Sequence, residues 1–167
     1  ENGFNNWTTI SGTPGTSMTQ SYSGAQSFVA DEDMDAIQCL LPTSYNKVAV
    51  VWFYDDASDT SLEAVAVVDD YNTGVFIGVD TSHSATNYVG RIGITYFTSS
   101  VARSTGWHKF VFDYRSGNDV KLYVDDIYLA SSTEVTSFYR ILVGDLWNSG
   151  TTGMVYFDNV TVQDSLP

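Results

Sequence analysis

The chain has one cysteine, Cys39, so it forms no intrachain disulfide, and its stability rests on packing or on a bound metal. In Ala36-Ile37-Gln38-Cys39-Leu40-Leu41 that cysteine reads as an inert thiol on a buried strand. A nucleophilic role would need an activating histidine, which the sequence does not place beside it. Basic residues are scarce as well. Seven Lys and Arg stand against 20 Asp and Glu, a formal charge of −13, which makes nucleic acid and anionic membrane surfaces poor partners. The three prolines, Pro14, Pro42 and Pro167, are scattered rather than gathered into a linker. No apolar run reaches the length of a membrane-spanning helix, and no signal-peptide pattern stands at Glu1. The chain reads as a piece of something longer.

Metal and nucleophile motifs are missing too. The two histidines, His83 and His108, show neither His-x-His nor His-Glu-x-x-His spacing, so zinc is not indicated and both read as structural. Asp31-Glu32-Asp33-Met34-Asp35 starts like a calcium loop. Ala36 then stands at the sixth position, where that loop needs Gly, and Pro42 at the twelfth, where it needs Glu. No Gly-x-Ser-x-Gly elbow selects a serine.

What is present is apolar and aromatic. Hydrophobic residues make up 43% of the chain and charged residues 16%, which argues against disorder and for a surface of Ser, Thr, Asn, Gly and Tyr suited to extracellular work. A chain of 167 residues fits one core. We expect a single domain over 1–163, with 164–167 as the start of a linker or the end of the piece.

Apolar residues recur with period two or in short runs bounded by Gly, Asn, Asp and Ser, and no long stretch has a 3.6-residue period. The chain is therefore all-β. Strands are predicted at Gln26–Ala30, Ala36–Leu41, Lys47–Tyr54, Leu62–Val68, Gly74–Val79, Tyr88–Ile92, His108–Tyr114, Val120–Val124, Ile141–Val143 and Val155–Val162. So many short strands separated by turn signals indicate a sandwich or barrel. The clearest local feature is a hairpin in which Phe110–Tyr114 and Val120–Val124 flank Arg115-Ser116-Gly117-Asn118-Asp119. Asp125-Asp126 then turns the chain into a third strand, Ile127–Ala130.

Gly106-Trp107-His108-Lys109-Phe110-Val111-Phe112-Asp113-Tyr114, followed by Val120-Lys121-Leu122-Tyr123-Val124-Asp125-Asp126, resembles the central hairpin of laminin-G-like and concanavalin-A-like domains, with Asp126 where Gly is usual. Asn2-Gly3-Phe4-Asn5-Asn6-Trp7, Tyr22-Ser23-Gly24-Ala25-Gln26-Ser27 and Val155-Tyr156-Phe157-Asp158-Asn159-Val160 resemble the opening and closing strands of jelly-roll carbohydrate-binding modules of secreted bacterial polysaccharide-degrading enzymes. The resemblance implies a two-sheet antiparallel β-sandwich, a jelly roll. It also implies a structural calcium ion joining the terminal strands, with Glu1, Gly24, Ser27 and Asp158 at the matching positions. The competing reading is that Asp158 caps a turn.

Two catalytic patterns of jelly-roll enzymes are missing. Retaining hydrolases of this shape carry Glu-x-Asp-x-x-Glu on one strand, and none of the four glutamates, Glu1, Glu32, Glu63 and Glu134, begins it. Lyases of this shape carry Gln-x-His together with Tyr-x-Lys, and Gln-x-His does not occur. The pairs Asp55-Asp56, Asp69-Asp70 and Asp125-Asp126 are adjacent, so on a strand they would face opposite ways and read as turns. No enzymatic activity is expected.

Four Trp, eleven Tyr and nine Phe make the chain 14% aromatic. Flat rings flanked by hydrogen-bonding groups fit the C–H faces and hydroxyl rims of sugars. Trp7, Trp52 and Trp107 are expected in the framework. Trp147, in the polar loop Gly144-Asp145-Leu146-Trp147-Asn148-Ser149-Gly150, is the first candidate stacking platform, with Asp145 beside it as an acceptor. Tyr54, Tyr71, Tyr88 and Tyr96 are second candidates. Arg91 and Arg103 would chelate hydroxyls or a carboxylate, or pair with aspartates. We therefore expect a monomeric polysaccharide-binding module within a secreted or cell-surface multidomain protein. An adhesion or spacer module is the alternative.

Overall fold

The computed structural model describes residues 6–30, 35–57, 62–68, 74–146 and 154–164. Among these the regular elements are all strands. In chain order they are β1 Trp7–Ser11, β2 Gly15–Ser17, β3 Ser27–Ala30, β4 Ala36–Tyr45, β5 Val48–Asp55, β6 Leu62–Val68 and β7 Val75–Asp80. The rest are β8 Ser84–Ile92, β9 Thr95–Ala102, β10 Gly106–Asp113, β11 Val120–Val124, β12 Ile127–Ser132, β13 Ser137–Gly144 and β14 Val155–Gln163. They form a two-sheet antiparallel β-sandwich. The first sheet runs β1-β4-β13-β6-β7-β8-β9 and the second β12-β11-β10-β5-β14-β3-β2.

Parity decides what each strand buries, because successive side chains point to opposite faces. On β5, Ala49, Val51 and Phe53 enter the core shared by the two sheets, where Phe53 stacks on Phe110 at 5.0 Å between centroids and meets Phe157 edge-on at 5.4 Å. The alternate residues Val48, Val50, Trp52 and Tyr54 therefore point outward. Val48 and Val50 are still buried, in a small outer cluster with Val111 under Tyr123.

The central hairpin forms as expected, with Phe110 opposite Val124 and Asp113 opposite Lys121. Asp125 and Asp126 both take positive φ, 49° and 65°, the left-handed pair that a tight two-residue hairpin turn requires. Asp tolerates this conformation better than most residues do, and the turn holds it further. The Asp125 carboxylate accepts the Lys109 amide at 2.8 Å, and Lys109 Nζ pairs with Asp126 at 2.6 Å. Asp126 thus replaces the usual Gly without loss of the turn.

Three strands go beyond the predicted set: β1, β2 and the edge strand β9, whose inward positions Phe97 and Val101 flank Ser99. Strand β4 also continues through Pro42. Its register with β13 is irregular between Leu40 and Ser44, and its partner β1 reaches only as far as Cys39. The missing N–H of Pro42 therefore breaks no regular ladder.

Two residues proposed to meet a ligand belong to the interior instead. Tyr88 is 0% exposed and packs among Phe53, Phe110 and His108, its hydroxyl donating to Asp55 Oδ2 at 3.1 Å. Burial first, then the charge and hydrogen bond of Asp55, push its phenol above the ordinary range. Arg103 donates to both Asp55 oxygens at 2.9 Å, with its side chain 6% and that of Asp55 0% exposed. The bidentate bond to Asp55 outweighs burial and keeps the guanidinium charged. A buried aspartate needs such a partner, so Arg103 is committed to Asp55.

His108 continues this polar network. Its Nδ1 lies 2.7 Å from Asp125 Oδ2 and its Nε2 lies 2.8 Å from the Ser104 carbonyl, an arrangement in which the doubly protonated ring donates to both. Burial alone would lower the His108 pKa, but the bonds to Asp125 and Ser104 and the charges of Asp125 and Asp55 outweigh it and leave it raised. Burial would raise the Asp125 pKa, yet the bonds from His108 and the Lys109 amide leave it lowered. The pair therefore stabilises the fold fully between about pH 4 and pH 6.5, the unfolded values of the two groups. The contribution of Asp125 fades as pH falls through its depressed pKa, and that of His108 fades as pH rises through its raised one. We expect the urea midpoint to be higher at pH 5.5 than at pH 8.5, and His108→Gln to shrink that difference. An unchanged difference in the variant would assign the pH dependence to other groups.

Candidate functional site

The outer face of the first sheet carries a row of side chains set by strand register. Phe76 on β7 lies opposite Arg91 on β8, which lies opposite Tyr96 on β9. Leu142 and Leu146 cover Phe76, and Tyr96 meets Phe76 edge-on at 5.9 Å. The β7–β8 register slips between Gly78 and Asp80, and the short turn Thr81-Ser82-His83 brings His83 back over this face. There the His83 ring stacks on Tyr96 with centroids 3.6 Å apart and planes within 9°. The Arg91 guanidinium carbon lies 5.5 Å from the Tyr96 centroid, and Arg91 Nε donates to the Gly93 carbonyl at 2.5 Å.

Asp80 fixes the turn. Its Oδ1 accepts the Ser82 amide at 3.0 Å and the Ser82 hydroxyl at 2.5 Å, and its Oδ2 lies 2.7 Å from His83 Nδ1. The histidine plane is therefore locked before any ligand arrives. Tyr96 is 38% exposed and the His83 side chain 37%, so the stack is held rigid and still meets solvent.

Tyr96 and Arg91, both candidates from the sequence, thus come together, while Tyr54 points outward from the opposite sheet. Asp145 is 1% exposed, its amide bonded to the Asp35 carbonyl at 3.0 Å, so it takes part in the framework rather than presenting an acceptor to solvent. Trp147, Tyr71 and Glu1 lie outside the described residues. His83 was missed because Asp80-Thr81-Ser82-His83-Ser84 reads only as a turn; its contact with Tyr96 spans a register slip that no local pattern encodes.

The outer face of the second sheet carries another aromatic group. Trp107, Tyr54 and Tyr156 stand side by side in register, with Tyr54 edge-on to Trp107 at 5.4 Å and to Tyr156 at 5.7 Å. Two residues along each strand pair, Lys109, Trp52 and Asp158 form the next outward row. Trp52 and Trp107 are half-buried here, outside the core.

The described residues matched to a calcium site, Gly24, Ser27 and Asp158, are engaged in hydrogen bonds within the protein. Asp158 Oδ2 accepts the amides of Tyr22 at 2.8 Å and Ser23 at 2.9 Å, and Oδ1 accepts the Asn159 amide at 2.6 Å. Ser27 is buried with its hydroxyl donating to the Gln20 carbonyl at 2.5 Å, and the Gly24 carbonyl accepts the Ser21 hydroxyl at 3.2 Å. Asp158 and the Gly24 carbonyl thus accept N–H and O–H donors, and the Ser27 hydroxyl donates to a carbonyl. Among the described residues no group of three or more His, Cys, Asp or Glu is placed to hold a metal.

No family model and no curated protein matches the chain. Its structure is similar to a carbohydrate esterase from Shiga toxin-encoding bacteriophage phi24B, with TM-score 0.61 and 13% identity over 95% of this chain and 89% of that one. It is also similar to Crh5 transglycosylase, with TM-score 0.59 and 17% identity over 98% of this chain and 80% of that one. The receptor binding domain of botulinum neurotoxin D matches with TM-score 0.59 and 13% identity over 95% of this chain. This chain spans 44% of that toxin chain. At such identities the likeness shows the fold alone.

With Asp158 satisfied by amides, EDTA is expected to leave the melting temperature unchanged. Asp158→Ala, which removes the acceptor of two loop amides, should cost about 0.5–1.5 kcal/mol in urea unfolding. A large fall in melting temperature on chelation would assign calcium to this site.

Proposed function

We propose that the chain is a non-catalytic carbohydrate-binding module that grips a neutral polysaccharide on the outer face of its first sheet and brings an attached enzyme to its substrate. The observation that carries this reading is the exposed, pre-stacked pair of Tyr96 and His83 beside Arg91. A sugar ring laid on a rigid flat surface gains stacking without the entropy cost of ordering that surface. Ser82 and Arg91 stand at its edge to meet hydroxyls. The net charge of −13 favours a neutral chain over a polyuronate.

The non-catalytic part of the reading rests on what β7 presents. Its outward positions are Phe76, Gly78 and Asp80, and Asp80 already holds Ser82 and His83. Retaining or inverting hydrolysis needs two carboxyl groups across the bond, and this strand offers one. The carbohydrate esterase and the transglycosylase among the similar structures agree with a glycan as the ligand class. In the cell, the module would work outside the membrane, as one domain of a secreted protein.

Binding to cellulose, mannan and xylan by affinity electrophoresis tests this directly. Tyr96→Ala should weaken binding by about two- to tenfold, the size of one stacking contact, and leave the melting temperature near that of the parent. His83→Ala should weaken it comparably. New reducing ends on incubation with the polysaccharide would overturn the non-catalytic reading. Failure to bind any glycan would favour an adhesion or spacer module.

A further inference from the structure

We propose that the outer face of the second sheet is a second glycan platform, centred on Tyr22, so that one module holds two polysaccharide chains on its opposite sides. This rests on the function proposed above. The two faces share one aromatic arrangement. Tyr96 is backed by a parallel flat ring, His83, and flanked edge-on by Phe76 at 5.9 Å. Tyr22 is likewise backed by Trp52 at 3.8 Å with planes within 14°, and flanked by Trp107 at 5.8 Å and 67°.

Tyr22 is also held through its backbone, since Asp158 Oδ2 accepts the amides of Tyr22 and Ser23. Ring and main chain are thus fixed independently, yet the residue is 42% exposed. One ring face lies on Trp52 and Trp107 meets the ring at a steep angle, while the residue still presents much of its surface to solvent. A partly exposed tyrosine held on a flat ring is the same kind of surface as the first platform.

The surroundings fit a neutral, hydroxyl-bearing partner. Ser23 and Asn159 are exposed beside the ring, and the nearest cation on this face, Lys109, is paired with Asp126 at 2.6 Å. Lys109 is thus held in an ion pair and Asp158 is engaged by three backbone amides, so an ionic partner would have to displace these contacts. A ring that stacks and hydrogen-bonds at its rim does not. Because the two sheets turn their outer faces away from each other, one chain could not cover both platforms by a short path. Two platforms would cross-link soluble polymer and add avidity on an insoluble one.

The test is calorimetry with cellohexaose, mannohexaose and xylohexaose on the whole chain. The expected stoichiometry is two for the sugar that binds, falling to one in Tyr22→Ala and to one in Tyr96→Ala, with binding lost in the double variant. Should Tyr22→Ala lose its fold, the Tyr96→Ala variant decides. Its remaining site lies over Trp52 and beside Trp107, so saturating sugar should shift tryptophan emission, and Trp52→Phe on that background should diminish the shift. A stoichiometry of one that Tyr96→Ala abolishes, with Tyr22→Ala unchanged, overturns the second platform and leaves the first standing. No binding of any of the three sugars overturns both. A dimer in analytical ultracentrifugation that Tyr22→Ala dissociates would show instead that a second copy of this chain covers the face.

Discussion

Strand parity governs this molecule. A sheet residue faces either the core or the outside, and in β5 the choice separates Phe53 from Trp52 and Tyr54 by one position. The interior is filled by Phe28, Phe53, Phe110, Phe112, Phe138 and Phe157, which leaves the aromatic residues of opposite parity on the outer faces. Such rings cost free energy when left loose in water. Here two of the exposed tyrosines rest on a second flat ring, Tyr96 on His83 and Tyr22 on Trp52, which limits exposure and removes rotamer freedom together. The property that makes these rings tolerable on the surface is the same one that suits them to a sugar.

Carboxylates set the positions of both stacks. Asp80 ties down the turn that carries His83, and Asp158 ties down the segment that carries Tyr22. Each uses short local bonds to N–H and O–H groups. Inside the sandwich, Asp55, Arg103, Tyr88, His108 and Asp125 form a third, deeper network that joins β5, β8 and β10. An acidic chain with few bases therefore spends its aspartates largely on fixing backbone and rings. That use leaves Asp80 as the carboxylate on the outward side of β7, already engaged.

Much of the fold was legible from the sequence because period-two patterning survives wherever a strand has a buried face. β5, β10, β11 and β14 lie close to where the pattern puts them, and the Asp125-Asp126 turn was readable even with Gly absent. Strand β9 was not, since Ser99 interrupts its inward-facing Phe97 and Val101 while its outward side mixes Tyr96 with Thr98 and Ser100. The site was less legible. Tyr96 and Arg91 are neighbours only through cross-strand register, and His83 reaches them only through an irregular one. Parity was also misjudged for Tyr88, whose neighbours Val89 and Gly90 are equally buried, so that alternation gave no sign of which face it takes. Trp52 sits in an almost wholly apolar run, Val48–Tyr54, where the same ambiguity made the core look like its place.

The central claim is that exposed, backed tyrosines are the contact surface for sugar, and solution NMR of the aromatic ring protons tests it most directly. On titration with the neutral oligosaccharide the chain binds, saturation transfer and shift changes should concentrate on Tyr96 and His83, while the rings of Phe53, Tyr88 and Phe110 stay unmoved. Changes confined to residues away from both outer sheet faces, with Tyr96 and His83 silent, would contradict the account.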